Sequence, residues 1–264
     1  MAEKLLKVLN GLLNAAILLT ILAAILYSVY SIWDNNSIYA AALQLSVRIR
    51  EFKPDEDKPS FEDLRKINPD VCAWVTMDGT NIDGPIVQGE TNEEYLNKDV
   101  YGDYSLAGTL FLDTRCSVDF TDFDSLVYGH HMDRHEMFGD LDLYLDEDFF
   151  DANTTGTLMI PGQSIPLSVM SVLVVGDTDP WVFDPAAADE NPDGFLSYVE
   201  QNARYLHSSV LDEVRNDPQK YHVLVLSTCS SDEEDDRTIV MAVYETPDAD
   251  RKNDERFPGG GRCE

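Results

Sequence analysis

The sequence predicts a mainly β domain that follows a single membrane-spanning helix near the N-terminus. Eight short apolar runs with turn signals between them lie in residues 71–245. Such a series is typical of a β-barrel or a β-sandwich. A long stretch without any charged residue precedes the runs. We therefore divide the 264 residues into a cytoplasmic stub with a transmembrane helix (1–33), a juxtamembrane helix and linker (34–60), a main domain (61–247) and a disordered polar tail (248–264).

The N-terminal segment is long and apolar enough to cross a bilayer. No charged residue occurs between Val8 and Trp33, and about 20 apolar residues span the hydrocarbon core. Lys4 and Lys7 precede this stretch, so we expect a single-pass protein of the cell membrane with its N-terminus inside and its main domain outside. The alternative is a cleaved signal peptide with a small-residue site at 40–42, although its apolar core would exceed the usual ~7–15 residues.

A second helix and a short linker are predicted to lead from the membrane to the main domain. Apolar residues recur at helical spacing between Ile38 and Ile49. Asn36 or Ser37 is a suitable N-cap for such a helix. The following stretch, KPDEDKPS (53–60), is polar and contains two prolines, which is typical of a linker.

Alternating and continuous apolar runs define the strands of the main domain. The predicted strands are 71–77, 84–88, 108–113, 124–130, 156–161, 165–175, 221–227 and 237–245. Two stretches with helical periodicity interrupt them, 135–150 and 192–207. No internal repeat and no phosphate-binding loop motif is visible in the sequence.

The chain is strongly acidic, with 49 Asp and Glu against 19 Lys and Arg and a formal net charge of -30. This charge argues against nucleic acid as a partner, because the phosphate backbone would be repelled. It favours cationic partners such as amines, and simple solubility is the plainer interpretation. The polar, Gly-rich tail from residue 248 onward is predicted to be disordered.

Four cysteines occur, and their spacing matches no metal-binding motif. An extracellular location permits a disulfide between Cys72 and Cys116, a question that the sequence leaves open. Cys263 lies in the Gly-rich tail. Cys229 differs from the others because it comes two residues after the apolar run 221–227 and precedes a polar loop. A strand end presents a side chain to a groove, which makes Cys229 a candidate nucleophile, with an inert buried cysteine as the alternative.

A histidine and an arginine are candidate partners of that cysteine. His130 ends the apolar run 124–130 directly after a glycine. Arg237 opens the last predicted strand, and antiparallel pairing with the preceding strand would bring it near Cys229. A nucleophilic thiol needs a group that exchanges protons, and a permanently charged guanidinium can stabilise an oxyanion. The plainer interpretation of Arg237 is that it balances the acids of the adjacent loop.

These residues lie in motifs that resemble the class B sortases, the cysteine transpeptidases of Gram-positive surfaces. The family signature T-L-x-T-C reads Val225-Leu226-Ser227-Thr228-Cys229, with valine in place of the first threonine. The segments AWVTMDGTNIDGPIVQGETNEEYLN, GTLFLD, LVYGHHM and MFGDL follow in the family's order. The resemblance covers about 65–247. It implies a closed eight-stranded sortase β-barrel with an N-terminal helix and a helical insert, at about 181–217, before the cysteine strand.

Carried over position by position, the resemblance implies roles for five residues. Cys229 would be the nucleophile and His130 the general acid and base. Arg237 would stabilise the oxyanion or the bound sorting signal. Thr228 and Ser227 would help to orient the substrate. His131 stands where the family often has asparagine and receives no catalytic role, and neither a metal nor a cofactor is implied.

The implied activity is that of a membrane-anchored cysteine transpeptidase in the cysteine-peptidase class of hydrolases. Cys229 attacks a peptide bond in the C-terminal sorting motif of a surface protein, and His130 protonates the departing amine. The thioester is then resolved by an amine of peptidoglycan or by a pilin lysine. Neither the motif nor the choice of acceptor follows from the sequence.

Three other functions compete with this interpretation. His131 and His135 have a spacing that a metal-dependent hydrolase could use, although no HExxH motif is present. A papain-like protease would need a histidine after its cysteine, and none follows Cys229. A non-catalytic ectodomain would not need all three candidate residues.

The acidic loop 232–236 opposes thiolate formation at Cys229. The loop either attracts the amine or is a solvated turn.

Overall fold

The computed structural model describes residues 2–57, 59–132, 136–229 and 236–247, with Cys229 described by its backbone alone. The chain divides into two compact units, Met1–Leu43 and Gln44–Glu264, and each is described by itself. The tail 248–264 and most of the acidic loop 232–236 lie outside the described residues. The predictions of a disordered tail and of a role for that loop therefore stay predictions.

The first unit is helical over its described residues, all of which belong to helix α1 (Ala2–Arg50). A window of α1 has a mean hydropathy of 2.3, so the helix is long and apolar enough to cross a membrane. The predicted helix start at Asn36 or Ser37 is wrong, because α1 runs through both residues. The Ser37 hydroxyl donates instead to the Asp34 carbonyl at 2.7 Å, a bond that serine makes inside a continuing helix.

The second unit is built around a closed β-barrel. The strands are β1 (Val71–Met77), β2 (Asp83–Val87), β3 (Leu110–Leu112), β4 (Asp124–Met132), β5 (Glu136–Met137), β6 (Thr155–Ile160), β7 (Gln163–Gly176), β8 (Tyr205–Leu206), β9 (Tyr221–Cys229) and β10 (Asp236–Glu245). Eight of them pair in the order β10-β9-β4-β3-β2-β1-β6-β7, and β7 pairs with β10 to close the barrel. The two-residue strands β5 and β8 attach to β4 and β7. The predicted eight-stranded barrel is confirmed.

The barrel wall is buried on both of its faces along several strands. In β1, Val75 and Met77 belong to the main apolar cluster, whereas Trp74 belongs to a second cluster with Phe61, which precedes helix Glu62–Ile67. Strands that are covered on both faces lose the strict alternation of apolar and polar residues. This explains why the strands appear in the sequence as nearly continuous apolar runs.

Short helices decorate the barrel. They are α2 (Glu62–Ile67), a 3-10 helix (Phe138–Leu145), α3 (Glu147–Ala152), α4 (Pro180–Phe183), α5 (Pro185–Glu190), α6 (Pro192–Asn202) and α7 (Ser208–Asn216). Helices α4–α7 form the predicted insert between β7 and the cysteine strand β9. In the stretch predicted as helical over 135–150, residues 136–137 form β5 instead. Residues 138–150 lie in two helices, because the Asp146 side chain caps a new start at α3. The stretch 192–207 is helical only to Asn202, after which β8 forms.

The two described cysteines of the barrel, Cys72 and Cys116, are buried free thiols. No disulfide joins them. Burial raises the pKa of Cys72 to about 12 and also raises the pKa of Cys116. A buried thiol with a raised pKa is a poor nucleophile, so both residues serve as core residues.

Candidate active site

The site lies where two parallel strands end side by side. β4 pairs in parallel with β9 from Asp124↔Val223 to His130↔Cys229. Neighbouring strands lie about 4.8 Å apart in the pairing direction. The backbones of His130 and Cys229, which are separated by almost a hundred residues in sequence, are therefore adjacent at the end of the sheet.

Arg237 approaches the same place from β10. The antiparallel β9–β10 register pairs Ile239 with Ser227, and two further residues along this register bring Arg237 opposite Cys229. The Arg237 side chain is only 14% exposed, and its Nη2 lies 3.8 Å from Asp177 Oδ2. Its Nη1 is buried without a hydrogen-bond partner among the described residues. A buried guanidinium with a free N–H is suited to hold an anionic or carbonyl oxygen.

A cleft of about 400 Å³ joins these side chains. Three of the predicted site residues line it: His130, Thr228 and Arg237. An aromatic wall of Phe111, Tyr128 and Phe183 lies beside them. The ring centroids of Phe111 and Tyr128 are 5.1 Å apart, and those of Tyr128 and Phe183 are 6.4 Å apart. The cleft thus combines an apolar groove with a cationic and a proton-exchanging group.

The imidazole of His130 is held by the main chain. Its Nε2 lies 2.6 Å from the Leu96 carbonyl oxygen, and since a carbonyl only accepts, this nitrogen carries the hydrogen. Gly108 (φ +62°) makes the approach possible. A Cβ at Gly108 would lie 2.6 Å from the Leu96 oxygen and 3.1 Å from the His130 ring. The loop that orients the histidine therefore requires glycine at this position.

The buried carboxylate of Asp113 bonds to side chains that line the cleft. It accepts hydrogen bonds from Asn92 Nδ2 (2.9 Å) and the Tyr128 hydroxyl (3.1 Å), both of which line the cleft. It also forms a bidentate pair with Arg115 at 2.9 and 2.8 Å. Burial alone would raise the pKa of Asp113, but the bonds and charge of Arg115 outweigh burial and lower it. The carboxylate therefore stays ionised and orders the side chains above it.

Arg115 also fastens the helical insert to the barrel. Its Nη2 donates to the Phe183 carbonyl at 2.7 Å, and its Nη1 lies 3.3 Å from Asp184 Oδ1. These bonds hold the end of α4 against the β3–β4 loop. They keep the Phe183 ring stacked on Tyr128 at an interplanar angle of 6°.

Comparison with known proteins identifies the architecture. No protein-family model matches the chain. A crystal structure of a class B sortase of Streptococcus pyogenes involved in pilus biogenesis is 35% identical, with a TM-score of 0.62 over 70% of this chain and 98% of that one. The X-ray structure of Clostridium perfringens sortase B is 28% identical, with a TM-score of 0.61 over 72% of this chain and 100% of that one. Sortase B of Staphylococcus aureus is 28% identical over 187 residues, which is 70% of this chain and 74% of that protein.

The chain belongs to the class B sortases. The resemblance drawn from the sequence motifs is confirmed, and the protein is a cysteine transpeptidase of surface-protein sorting. Because the chain belongs to this family, the papain-like and non-catalytic alternatives are rejected. Among the residues that the structure describes, no group of three or more His, Cys, Asp or Glu is arranged to hold a metal ion. His135 of the metal-hydrolase alternative lies outside the described residues.

The predicted substrate residues of the sortase have different surroundings. Thr228 lines the cleft, and its Oγ1 accepts from the Thr238 backbone N–H at 3.1 Å. Ser227 is fully buried, and its hydroxyl donates to the Thr228 carbonyl at 3.2 Å. The structure therefore brings Thr228, but not the side chain of Ser227, to the cleft.

Several residues that line the sortase cleft were not predicted from the sequence patterns. Tyr128 lies two positions before His130 on the same strand, and this spacing puts both on one face of the sheet. The alternation of side chains along a strand could therefore have predicted Tyr128 as a neighbour of the site. Asn92, Asp177 and Phe183 come from loops and the insert. No local pattern marks them, because their approach to the cleft depends on how distant segments fold back.

Proposed function

We propose that Cys229 is the nucleophile of this sortase, that His130 is its general acid and base, and that Arg237 stabilises the oxyanion or the bound sorting signal. The observation that supports this assignment is the shared cleft. The side chains of His130 and Arg237 line it, and the β4–β9 pairing ends with His130 beside the Cys229 backbone. Three groups of complementary chemistry from three strands are thereby concentrated at one sheet end.

In the proposed reaction, a C-terminal sorting motif of a surface protein lies extended along the aromatic wall. The Cys229 thiolate attacks the carbonyl carbon of the scissile bond, and Arg237 holds the developing oxyanion. Collapse of the tetrahedral intermediate breaks the C–N bond, and His130 donates the proton that the departing amine requires. A thioester on Cys229 results.

The second half of the reaction uses an incoming amine. The amine nitrogen attacks the thioester carbonyl, His130 accepts its proton, and the Cys229 thiolate leaves. In this scheme Thr228 contacts the substrate at the cleft wall, and Ser227 supports the Thr228 carbonyl from behind. When no amine is present, water can take its place. The overall result is then peptide hydrolysis, as expected of the cysteine-peptidase class.

We infer two classes of acceptor, a lysine amine of a pilin and an amine of peptidoglycan. The pilin acceptor is favoured by the 35% identical S. pyogenes sortase, which is involved in pilus biogenesis. Both acceptors are cationic before deprotonation, and the formal net charge of -30 attracts cations to the enzyme. Their shared chemistry is a primary amine.

We also propose that α1 anchors the enzyme in the cell membrane with residues 1–33 forming the stub and span, residues 34–60 connecting them to the catalytic domain (61–247), and that domain outside the cell. The hydropathy of α1 and the lysines before its apolar stretch support this orientation. Protease added to intact cells would then digest the catalytic domain. Protection of the domain until the cells are lysed would contradict the orientation.

The catalytic assignment can be tested with the full chain in detergent micelles. The enzyme is incubated with a library of quenched sorting-motif peptides, either alone, with a lysine peptide or with a peptidoglycan stem peptide. Products are identified by mass spectrometry. We expect an amine-linked product that is absent in Cys229→Ala, and the peptide that reacts names the motif.

Matched variants make the test specific. Cys72→Ala removes a buried thiol away from the cleft and should retain the reaction in whatever fraction folds. Cleavage by water alone in the presence of both amines would limit the enzyme to peptidase chemistry. An amine-linked product that persists in Cys229→Ala would disprove the nucleophile assignment.

A further inference from the structure

One carboxylate near the cleft, Asp142, has no role in the proposed reaction. It lies in the 3-10 helix Phe138–Leu145. Its Oδ2 is 2.7 Å from His131 Nε2, and its Oδ1 accepts from the Thr238 hydroxyl at 2.6 Å. The two oxygens thus contact two different strands, β4 and β10.

The local backbone brings Asp142 to this position at a cost in strain. β5 pairs with the end of β4 through His131↔Met137. Met137 then turns the chain into the 3-10 helix with φ 51° and ψ -126°, a conformation that a bulky side chain rarely adopts. A Cβ at Gly139 would lie 1.9 Å from the Met132 carbonyl oxygen, so the turn tolerates only glycine there. Such a tight, strained return is expected where the geometry of the following residues matters.

The hydrogen bonds continue beyond Asp142 to the cysteine strand. The Thr238 backbone N–H donates to Thr228 Oγ1 at 3.1 Å, and both threonines are at least nine-tenths buried. A connected series therefore runs from His131 through Asp142 and Thr238 to Thr228. Its members include the residue after His130, the residue after Arg237 and the residue before Cys229.

We propose that Asp142 is a positioning residue for transpeptidation, which sets the spacing of the β4, β9 and β10 ends that carry His130, Cys229 and Arg237. This inference rests on the roles proposed above for those three residues. Asp142 acts through its neighbours and does not touch the substrate. A shift of about 1 Å between reacting groups can reduce a rate about 100-fold, so small errors in strand spacing are costly.

The charge state of Asp142 fits this role. Its side chain is 43% exposed. Partial burial alone would raise its pKa, but hydrogen bonds from His131 and Thr238 outweigh this effect and lower it. An ionised carboxylate accepts hydrogen bonds at both oxygens and can therefore link two strands at once. Alanine would break both bonds. Asparagine would keep the oxygen that faces Thr238 and change only the group that faces His131.

The test uses the full chain with four single variants and one double variant. Asp142→Ala removes both bonds, Asp142→Asn keeps one acceptor, and Thr238→Val removes only the hydroxyl that donates to Asp142. Asp148→Ala is the matched control, because Asp148 is an exposed aspartate of the adjacent helix α3. Each variant is assayed for kcat and KM, for thermal unfolding, and for the alkylation rate of Cys229 read from its peptide by mass spectrometry.

We expect Asp142→Ala to lower kcat by about 10-fold or more while KM changes by less than about twofold. Asp142→Asn should recover most of that loss. The alkylation rate of Cys229 should also fall in Asp142→Ala, because misplaced cationic groups stabilise its thiolate less. The double variant Asp142→Ala/Thr238→Val should lose about as much as Asp142→Ala alone, since both changes break one series of bonds.

The outcomes separate this inference from the proposed function. If Asp142→Ala matches Asp148→Ala in kcat and alkylation while it unfolds at a lower temperature, Asp142 only stabilises the fold and the inference fails. If wild-type enzyme links no amine but Asp142→Ala still slows alkylation, the proposed function fails and the positioning of Cys229 by Asp142 stands.

Discussion

The two ends of the β4–β9 strand pair carry similar polar residues but use them in different ways. At one end, where Asp124 pairs with Val223, the polar groups are sealed inside the protein. At the other end, where His130 pairs with Cys229, the side chains of His130 and Thr228 line a cleft. The strands, their direction and their register are shared, so the difference comes from what covers each end.

At the sealed end the protein supplies hydrogen-bond partners for the histidine ring and the hydroxyl groups. The ring nitrogens of His222 lie 2.7 Å from the Asp122 carbonyl and 2.8 Å from Thr246 Oγ1. Ser125 and Tyr244 bond each other through their hydroxyls at 3.1 Å. Burial is the main reason that the pKa of His222 is lowered. Both ring nitrogens of His222 are therefore occupied and its neutral form is favoured, whereas the His130 ring lines the cleft.

Two fully buried aspartates sharpen the comparison. Asp113, under the cleft, has the Arg115 guanidinium and three further N–H or O–H donors, and its pKa is lowered. Asp124, at the sealed end, has no hydrogen-bond partner for either carboxylate oxygen among the described residues. Burial raises its pKa well above the usual value, and the charge of Asp189 adds to the effect. Burial alone does not decide the charge of a carboxyl group; its partners do.

The largest expected effect is at the two histidines. His130→Ala should lower kcat/KM by about 10²–10⁴-fold, the range for loss of a general acid and base, without lowering the melting temperature. His222→Ala should instead lower the free energy of unfolding by about 1–3 kcal/mol, because it leaves buried polar groups unpaired. Its activity per folded molecule should be unchanged. Equal losses of activity in both variants would abolish the distinction between the two ends.

A glycine pair tests how the cleft orients His130. Gly108→Ala should lower kcat by about 10–100-fold, because its Cβ would displace the Leu96 carbonyl that holds the imidazole. Gly102 also has a positive φ, +88°, but an added Cβ there meets nothing within 4 Å. Gly102→Ala is thus the control for backbone strain alone. If the two variants lose the same activity, contact with His130 is not the cause.

Removal of the Arg115 side chain is expected to lower stability by an amount that depends on pH. Arg115→Ala should lower the free energy of unfolding by about 1–3 kcal/mol at neutral pH, because it leaves the Asp113 carboxylate buried without its cation. In the wild type, the lowered pKa of Asp113 contributes stability above its unfolded pKa of about 3.9, and this is lost as pH falls through the folded pKa. Denaturant unfolding from pH 3 to 7 should therefore show a smaller acid-dependent loss in the variant.

The control for this prediction is Arg215→Ala, which breaks an exposed pair with Glu200. Exposed pairs contribute about 0–1 kcal/mol, so little change is expected. If the two arginine variants show the same stability at every pH, Asp113 does not depend on Arg115.

The smallest effect is expected for Asp124, which lies at the sealed end. Because the folded pKa of Asp124 is raised, wild-type stability falls as pH rises above the unfolded pKa of about 3.9 and continues to fall up to the folded pKa. Asp124→Asn has no proton to lose, so it should gain on the wild type by about 1 kcal/mol or more as pH increases from 5 to 8. Asp148→Asn, on the surface, should show no such gain. A constant difference between Asp124→Asn and wild type across that range would contradict the raised pKa.

Local sequence predicted the eight barrel strands and the family. The run 71–77 was predicted as a strand and is β1 with the same bounds, since apolar runs and flanking turn residues act over a few positions. The motifs around Cys229, His130 and Arg237 were sufficient to indicate a class B sortase. A local signal also misled: Asn36 and Ser37 have good N-cap side chains, but the helix that already runs through them continues.

Only the tertiary structure decided which groups meet. The pairing of β7 with β10 closes the barrel between residues at least sixty positions apart, and no local pattern specifies it. The same is true of the Leu96 carbonyl on His130, of Phe183 on Tyr128 and of Asp142 between β4 and β10. These contacts depend on long-range packing, in which a residue's role is set by neighbours distant in the chain. The sequence indicated the candidate residues, and the fold determined which neighbours contact them.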